Sequence, residues 1–464
     1  MNRAFSITPL LLLAVVVACQ ERSVAPTAGR PSFAVAAPSA CPSHADFVVS
    51  DEASLLSAVA SAHPNDTIAL SGMIEMTFAD VFVETDDLTF TCATPGSGLE
   101  AGPSTGLSWL FVVLSKRVTV ERLTLDATNE LNGGVVAFNG VEGPFTGFAE
   151  DVRLVGNHVL CAGQHVEACV SIRTDAAGLQ GVLISGNTFE ADGNQTTIAL
   201  IGVNSGRVEG NTIEGGAGGN SDPVDFIAGS GGRFTGNNVQ CAGACLFADG
   251  SRGLVVANNQ FQSAGSSTGI HLQNGTDGDS VVGNTVVATA PSTTLNFGAM
   301  RVRDGTGVTI AKNVATGPWQ NGVALADIAA SRVEHNRLAG ALAYGIRARA
   351  GGSALAVSIT GNLFSTNQVS GAGAAGIFLT SACNNTLLGN DVQGNAGNVG
   401  AIFDGPTGAN VLVGNVTAVI DNGSFDCDGD GVPDPNIITG PGRVLHGPFS
   451  PAPSNAAGSS GKFQ

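Results

Sequence analysis

Two segments of this sequence carry paired cations. They are Arg301 and Arg303 in "MRVRD" and Arg347 and Arg349 in "IRARA". Cations are scarce elsewhere, since the chain has 20 Lys+Arg against 38 Asp+Glu and a net charge of −18. A guanidinium offers a planar fork of donors that grips carboxylate or sulfate bidentately. Both segments alternate apolar and polar residues, so arginines two apart share one face of a strand. Neighbouring runs read the same way. Ile270/Leu272, Met300/Val302, Val323/Leu325 and Ile346/Ala348 point inward, and His271/Gln273, Arg301/Arg303, Ala324/Ala326 and Arg347/Arg349 point outward. The two alanines leave a shallow gap between the arginine pairs. Asp225 and Asp249 fall on the same stripe before it, and Phe378 and Phe403 after it. Guanidinium forks beside aromatic platforms suit an acidic polysaccharide. The expected binding set is therefore Arg301, Arg303, Arg347, Arg349 and Gln273. Catalysis on this face, as in a polysaccharide lyase or another carbohydrate-active enzyme, requires a base, for which the candidates are His271 and Arg301. The alternative is a solvated face whose arginines pair with Asp304 and Asp327.

A second constellation lies near the C-terminus. Asp426, Asp428, Asp430 and Asp434 stand at alternating positions around Gly429 and Gly431, a pattern that lets several oxygens converge on one Ca²⁺ at a sharp turn. The segment resembles a calcium loop of the thrombospondin type-3 kind. It also matches the first part of an EF-hand loop, but Ile437 stands where that loop has its bidentate Glu. Ca²⁺ is the cofactor expected. The alternative is an acidic turn held by Cys427.

The elements that position these residues are announced by a repeated phrase: apolar, any residue, Gly, Asn, any residue, apolar. It occurs eleven times, with Asn at 157, 187, 211, 237, 259, 284, 313, 336, 362, 390 and 415. Three copies replace the Gly, with Asn258, Lys312 and His335 in its place. The intervals run from 22 to 30 residues, so loop length varies while the phrase does not. Long 3.6-residue periodicity is absent. Short Val/Ile/Leu/Phe runs of period 2 are broken by Gly, Asn, Asp and Ser. Two or three strands per coil, stacked coil on coil, make a parallel β-helix. The Asn is expected to take a left-handed backbone at a tight turn and to stack as an amide ladder from coil to coil. A Gly-Asn hairpin in an antiparallel sandwich is the rival. It fails because only one or two apolar residues follow the Asn. His158 and His335 flank repeated Asn positions and read as turn residues.

Composition sets bounds. Only three lysines are present, which excludes the basic field that nucleic acid requires. Met1–Arg3 followed by an apolar run at Leu10–Val17, ending in Val16-Val17-Ala18-Cys19, resembles a bacterial lipoprotein signal. The resemblance implies cleavage before Cys19 and lipidation on it. Gln20 in the following position implies an outer-membrane or cell-surface lipoprotein, attached to the membrane through its lipid alone. An ordinary secretory signal is the alternative. Eight further cysteines, at 41, 92, 161, 169, 241, 245, 383 and 427, form an even count that favours disulfides in an exported chain. Cys161/Cys169 and Cys241/Cys245 are close enough to staple local loops. Cys41/Cys92 and Cys383/Cys427 would then staple the two ends. Many other pairings are open, as is zinc at Cys241 and Cys245.

Ser50–Ala62 reads as an amphipathic helix capped by Ser50 or Asp51, with Leu55, Leu56 and Val59 on one face, and "PNDTIAL" turns from it into a strand. A capping helix before a Pro-Gly-Asp-Thr-Ile-like turn resembles the start of right-handed β-helix proteins of the pectin-lyase-like superfamily, with Asn65 in place of the usual Gly. The resemblance, from about Asp51 to about Val416, implies an all-β, right-handed parallel β-helix of about 12–14 coils with an N-terminal capping helix. It does not choose a function, because that superfamily holds lyases, hydrolases, epimerases, adhesins and binding proteins. Phrases typical of polygalacturonases and pectate lyases are absent. The expected organisation is a signal peptide over 1–18, a tether over 19–45, the β-helix over 46–420, a cap with the Asp-rich loop over 421–440 and a flexible tail over 441–464. The expected function is binding or processing of an acidic polysaccharide by an exported, lipid-anchored, monomeric protein. The alternative is a non-catalytic cell-surface adhesin or scaffold. Periplasmic metal handling by a related β-helix family is disfavoured by the lack of Met or His clusters.

Overall fold

The computed structural model describes residues 40–77, 80–102, 109–128, 134–138, 149–161, 168–173, 179–191, 196–215, 222–264, 267–292, 294–351, 358–414, 418–440 and 444–445. The expected signal, Cys19, most of the tether, Asn415 and the tail from 446 lie outside the described residues.

Most coils pass through three short strands, the last coils through two, and every sheet is parallel. Sheet 1 has 16 strands, from Phe47–Val49 to Ile437–Thr439. Sheet 2 has 12, from Met73–Met76 to Gln368–Ser370, and sheet 3 has 16, from Val81–Val83 to Val444–Leu445. Together they build a parallel β-solenoid of about 14 coils. Strand pairing continues past residue 420: Ile437–Thr439, in the expected cap, extends sheet 1, and Val444–Leu445, in the expected tail, extends sheet 3.

The repeated phrase sets the register. Its first apolar residue stacks in sheet 1 as Leu154, Ile184, Val208, Phe234, Val256, Val281, Ile310 and Val333, each paired with the next coil. Its second stacks in sheet 2 as Val159, Phe189, Ile213, Val239, Phe261 and Val286. All of these are buried, at about 1.5–3 kcal/mol for each fully buried large side chain.

The corner between these two strands belongs to the Asn. Asn157, 187, 211, 237, 259, 284, 313 and 336 are all buried. From Asn187 onward each Oδ1 accepts both the backbone N–H and the Nδ2–H of the Asn one coil before, and that of Asn157 accepts from Leu123 N. At Asn211 these bonds come from Asn187 at 2.9 and 3.0 Å. Each Nδ2 also donates to a sheet 1 carbonyl one coil back, as Asn211 does to Ile184 at 3.0 Å. The left-handed backbone lies one residue earlier than expected. Gly156, Gly186, Gly210, Gly236 and Gly283 have positive φ, and so do Asn258, Lys312 and His335 where the Gly is missing. The Asn residues do not. The Asn therefore acts through its amide, and the Gly supplies the turn conformation.

The ladder also departs from the expected series. Asn336 passes its bonds to Asn367, not Asn362, and Asn367 passes them to Asn390. Phe364, rather than Ile359, pairs with Val333, so Asn362 falls on the corner that precedes sheet 1. There it starts a second ladder through Asn385, Asn410 and Asn436, and accepts from Ser331 N in the coil before. In an earlier coil the same corner holds Asp279, which is buried and accepts from Ser251 Oγ and Leu254 N.

The helix forms at Glu52–Ser61 with Asp51 as N-cap in a reciprocal capping box with Ser54. Leu55 and Ala58 are its buried residues, so the covered face includes Ala58 where Leu56 was expected. Asn65 has φ 76°, which explains why a Gly-like residue is needed there. The four disulfides are Cys41–Cys92, Cys161–Cys169, Cys241–Cys245 and Cys383–Cys427.

Replacing Asn211 or Asn362 by Ala orphans buried donors and acceptors on two neighbouring coils. Each variant should lose about 1–3 kcal/mol in denaturant unfolding, and an unchanged midpoint would remove the ladder from the account of stability.

Candidate functional site

The arginines sit on the outer face of sheet 3. One column runs Asp225, Phe247, His271, Arg301, Ala324, Arg347, Phe378, one residue per coil. A parallel column carries Asp249 and Gln273 in earlier coils and Arg303, Ala326 and Arg349 in later ones. Neighbouring strands lie about 4.8 Å apart, so the two arginine-bearing strands are about 10 Å apart with the small Ala324 and Ala326 between them.

The side chains converge further than this spacing requires. Arg301, Arg347 and Arg349 line one shallow depression with Asn296, over a floor of Ala324, Leu325 and Ala326. Arg301 lies over the Phe297 ring, 5.0 Å from its centroid, and Arg347 lies 5.9 Å from that of Tyr344. Arg347 Nη1 donates to Leu295 O at 2.8 Å and Asn296 Oδ1 at 3.0 Å. Arg349 Nη1 donates to Ala350 O at 2.8 Å. Burial lowers Arg301 and Arg347 to about 10, so both remain charged at neutral pH.

Two members of the expected set are engaged elsewhere. Arg303 forms an ion pair with Asp304 at 2.9 Å, as the alternative reading of this face required. Gln273 Nε2 donates to Asp249 Oδ2 at 3.2 Å. His271 packs edge-on against Phe247 at 5.3 Å, and its Nε2 is buried without a hydrogen-bond partner. Burial, with Arg301 and Arg303 adding to it, pushes its pKa down to about 3, so the ring is neutral at physiological pH. Asp225 is held up to about 7, mainly by burial and then by Asp222, and accepts from Thr196 Oγ1.

Phe403 does not join the stripe. It pairs with Leu379 and is fully buried in the core, and Ile402 takes the outward place beside Phe378. Tyr344 and Phe297 were not anticipated. Tyr344 shares the parity of inward Ile346, yet it packs outward on Phe378, 4.7 Å between ring centroids. Alternation breaks at Gly345, where a Cβ would lie 2.0 Å from a methyl of Val369 in the core. Phe297 lies just before its strand, where period-2 reasoning does not reach.

In the Asp-rich loop, ligand oxygens of Asp426, Asp428 and Asp434 lie within 4.8 Å of one another. Asp430 does not join them and instead accepts from Val432 N at 2.8 Å. Asp426 accepts from Gly431 N and Gly429 N, and the first of these does most to hold its carboxyl below the usual range.

Among solved structures, the chain is similar to the A-module of Azotobacter vinelandii mannuronan C-5 epimerase AlgE6, at 14% identity and TM-score 0.48, over 80% of this chain and 96% of that one. It is also similar to the Dettilon tailspike protein, at 15% identity and TM-score 0.46, over 76% of this chain and 64% of that one. A third likeness is to the periplasmic alginate epimerase AlgG, at 12% identity and TM-score 0.35, over 87% and 84% of the two chains. No curated protein matches the sequence. The family model described as periplasmic copper-binding protein (NosD) matches residues 180–374 and 287–424.

Copper takes thiolate, thioether or imidazole donors. Here the eight cysteines after Cys19 are in disulfides, Met76 and Met300 are enclosed in the core, and Met73 is exposed on its own on the first strand of sheet 2. Among the described residues the one group of three or more candidate His, Cys, Asp or Glu ligands is all carboxylate, a hard-oxygen set. These residues do not fit copper. The two matched spans together cover more than half of the chain, and the protein thus belongs to the NosD family as a member whose described residues carry no copper-type donor set.

Proposed function

We propose that this protein is an extracytoplasmic β-helix that binds an acidic polysaccharide on the outer face of sheet 3. The observation that carries this reading is the convergence of Arg301, Arg347 and Arg349 on one depression in a chain of net charge −18. Arg347 is held by the neutral Leu295 O and Asn296 Oδ1 rather than by a carboxylate side chain, and Arg349 lies in the field of Asp327. The small Ala324 and Ala326 side chains keep the floor between the guanidinium forks low, which favours an anionic group laid across the open depression. The half-buried Phe297 adds ring surface for a sugar beside Arg301, while Tyr344 is buried against Phe378 and backs Arg347. Binding without turnover is favoured over catalysis by His271, whose neutral ring has one nitrogen closed off from solvent. A carbohydrate-binding surface protein of the adhesin or scaffold type is consistent with the same face.

Polygalacturonate binding, followed by calorimetry, should weaken at least about tenfold in Arg301→Ala/Arg347→Ala. It should also fall as salt rises, since exposed charge contacts are screened. The thermal transition should barely move. Equal affinity in the double variant, or release of unsaturated sugars detected by ultraviolet absorbance, would contradict a binding face without turnover.

Export as a lipoprotein through Cys19 is part of this proposal, and it is supported by four disulfides, which persist in oxidising compartments. Cys19→Ser should move the protein from the membrane fraction to the soluble one, and a wild type already found soluble would refute the anchor. Ca²⁺ is proposed for Asp426, Asp428 and Asp434, whose oxygens converge. Millimolar Ca²⁺ should raise the melting temperature of wild type but not of Asp426→Asn/Asp428→Asn. A wild type indifferent to Ca²⁺ would leave the loop a plain turn.

A further inference from the structure

The wall of the arginine depression is a loop, and one buried amide in the next coil holds it. Leu295, Asn296 and Phe297 precede the sheet 3 strand Gly298–Thr306. Phe297 supplies the ring beneath Arg301, and Leu295 O and Asn296 Oδ1 take the Arg347 guanidinium. Asn296 is exposed and Leu295 is 41% exposed, so nothing in the core fixes them.

Asn321 fixes them from below. It pairs with Gly298 on one side and Tyr344 on the other, on the outer side of sheet 3, yet it is fully covered. Its Nδ2 donates to Leu295 O at 2.8 Å and to Phe297 O at 2.7 Å. Its Oδ1 has no hydrogen-bond partner. A buried acceptor left open is costly, so the amide is explained by its two donors. Gln320 Nε2 adds a bond to Ser292 O at 2.7 Å. Close approach is built in as well, because a Cβ at residue 298 would stand 2.8 Å from Asn321 O. Leu295 O is shared by Asn321 and Arg347, so one carbonyl couples the buried amide to the anion-binding guanidinium.

We infer that Leu295–Phe297 is the specificity wall of the anion site and that Asn321 is its positioning residue. This rests on the polysaccharide-binding reading of the same face. The wall sets how far Arg347 reaches across Ala324 and where the Phe297 ring lies for a sugar. With the wall in place, the site takes one carboxylate or sulfate together with the ring that bears it. Without the wall it keeps its charge but loses the ring platform, and becomes a general polyanion patch.

The test uses the full chain with Asn321→Leu, which matches the side chain in size and removes both donors. Amide hydrogen exchange at residues 294–298 should quicken at least about tenfold, while exchange in the sheet 1 strands stays as in wild type. Polygalacturonate affinity should fall about tenfold, and affinity for polyphosphate, an anion without a sugar ring, should change less than about threefold. Asn296→Ala, an exposed change that leaves the core intact, should shift the same preference in the same direction, which covers the case in which Asn321→Leu does not fold. Wild-type exchange at 294–298 in Asn321→Leu would overturn the positioning role. An equal loss for both polymers, or none for either, would overturn the wall while the arginine site stands if Arg301→Ala/Arg347→Ala still weakens binding at least about tenfold. Failure of the wild type to bind either polymer would overturn the polysaccharide reading and this inference with it.

Discussion

From Asn157 to Asn390, successive coils of this protein meet the same demand at the corner between sheets 1 and 2. The chain turns inside the solenoid, and the backbone N–H at the turn is buried where water cannot satisfy it. The stacked Asn amide answers from the next coil. Its oxygen accepts the backbone N–H and side-chain N–H of its predecessor, and its nitrogen reaches a carbonyl one coil back and the oxygen one coil on. Because every bond runs between coils, the ladder fixes registry along the axis. Coil length is free to vary elsewhere, and ladder intervals of 22 to 31 residues do so without disturbing the corner. Gly at the preceding position completes the turn by taking a left-handed conformation that costs other residues free energy.

The site on sheet 3 depends on that registry. With one residue per coil in each column, outward side chains from successive coils stand about 4.8 Å apart whatever the intervening loops do. Two strands carrying arginine flank one carrying alanine, and the fold turns this order into a floor between cationic rims. A slip of one residue would bury the arginines and expose the core. The loop before sheet 3 can then specialise, since the ladder and not the loop holds the coil. That division explains how a NosD-family scaffold can gather arginines on sheet 3 while the one group of three or more candidate His, Cys, Asp or Glu ligands among its described residues is all carboxylate.

Much of this was legible in the sequence because the repeat is short and the sheet period is two. The phrase located the stacked apolar columns, and alternation located Arg301, Arg303, Arg347 and Arg349. Where alternation breaks, the reading broke with it. Gly345 and its neighbour Ile346 both face inward, which turned Tyr344 outward against its parity, and a similar offset buried Phe403. Asn362 misled for a different reason. Both corners flanking sheet 1 accept Asn late in the chain, five residues apart in the Asn362/Asn367 and Asn385/Asn390 pairs, and the Gly-Asn phrase does not tell one corner from the other. Side-chain convergence was beyond reach as well. Spacing alone does not show that Arg303 turns to Asp304, that Asp430 turns away from its neighbours, or that three guanidiniums share one depression.

The central claim is that one anionic group of a sugar polymer sits between Arg301 and Arg347 above Ala324. A crystal structure of the protein with a galacturonate oligomer tests it most directly. The account predicts a carboxylate within hydrogen-bonding distance of both guanidiniums, with its sugar ring against Phe297. An oligomer bound on sheet 1 or sheet 2, or a sheet 3 face left empty at saturating oligomer, would contradict it.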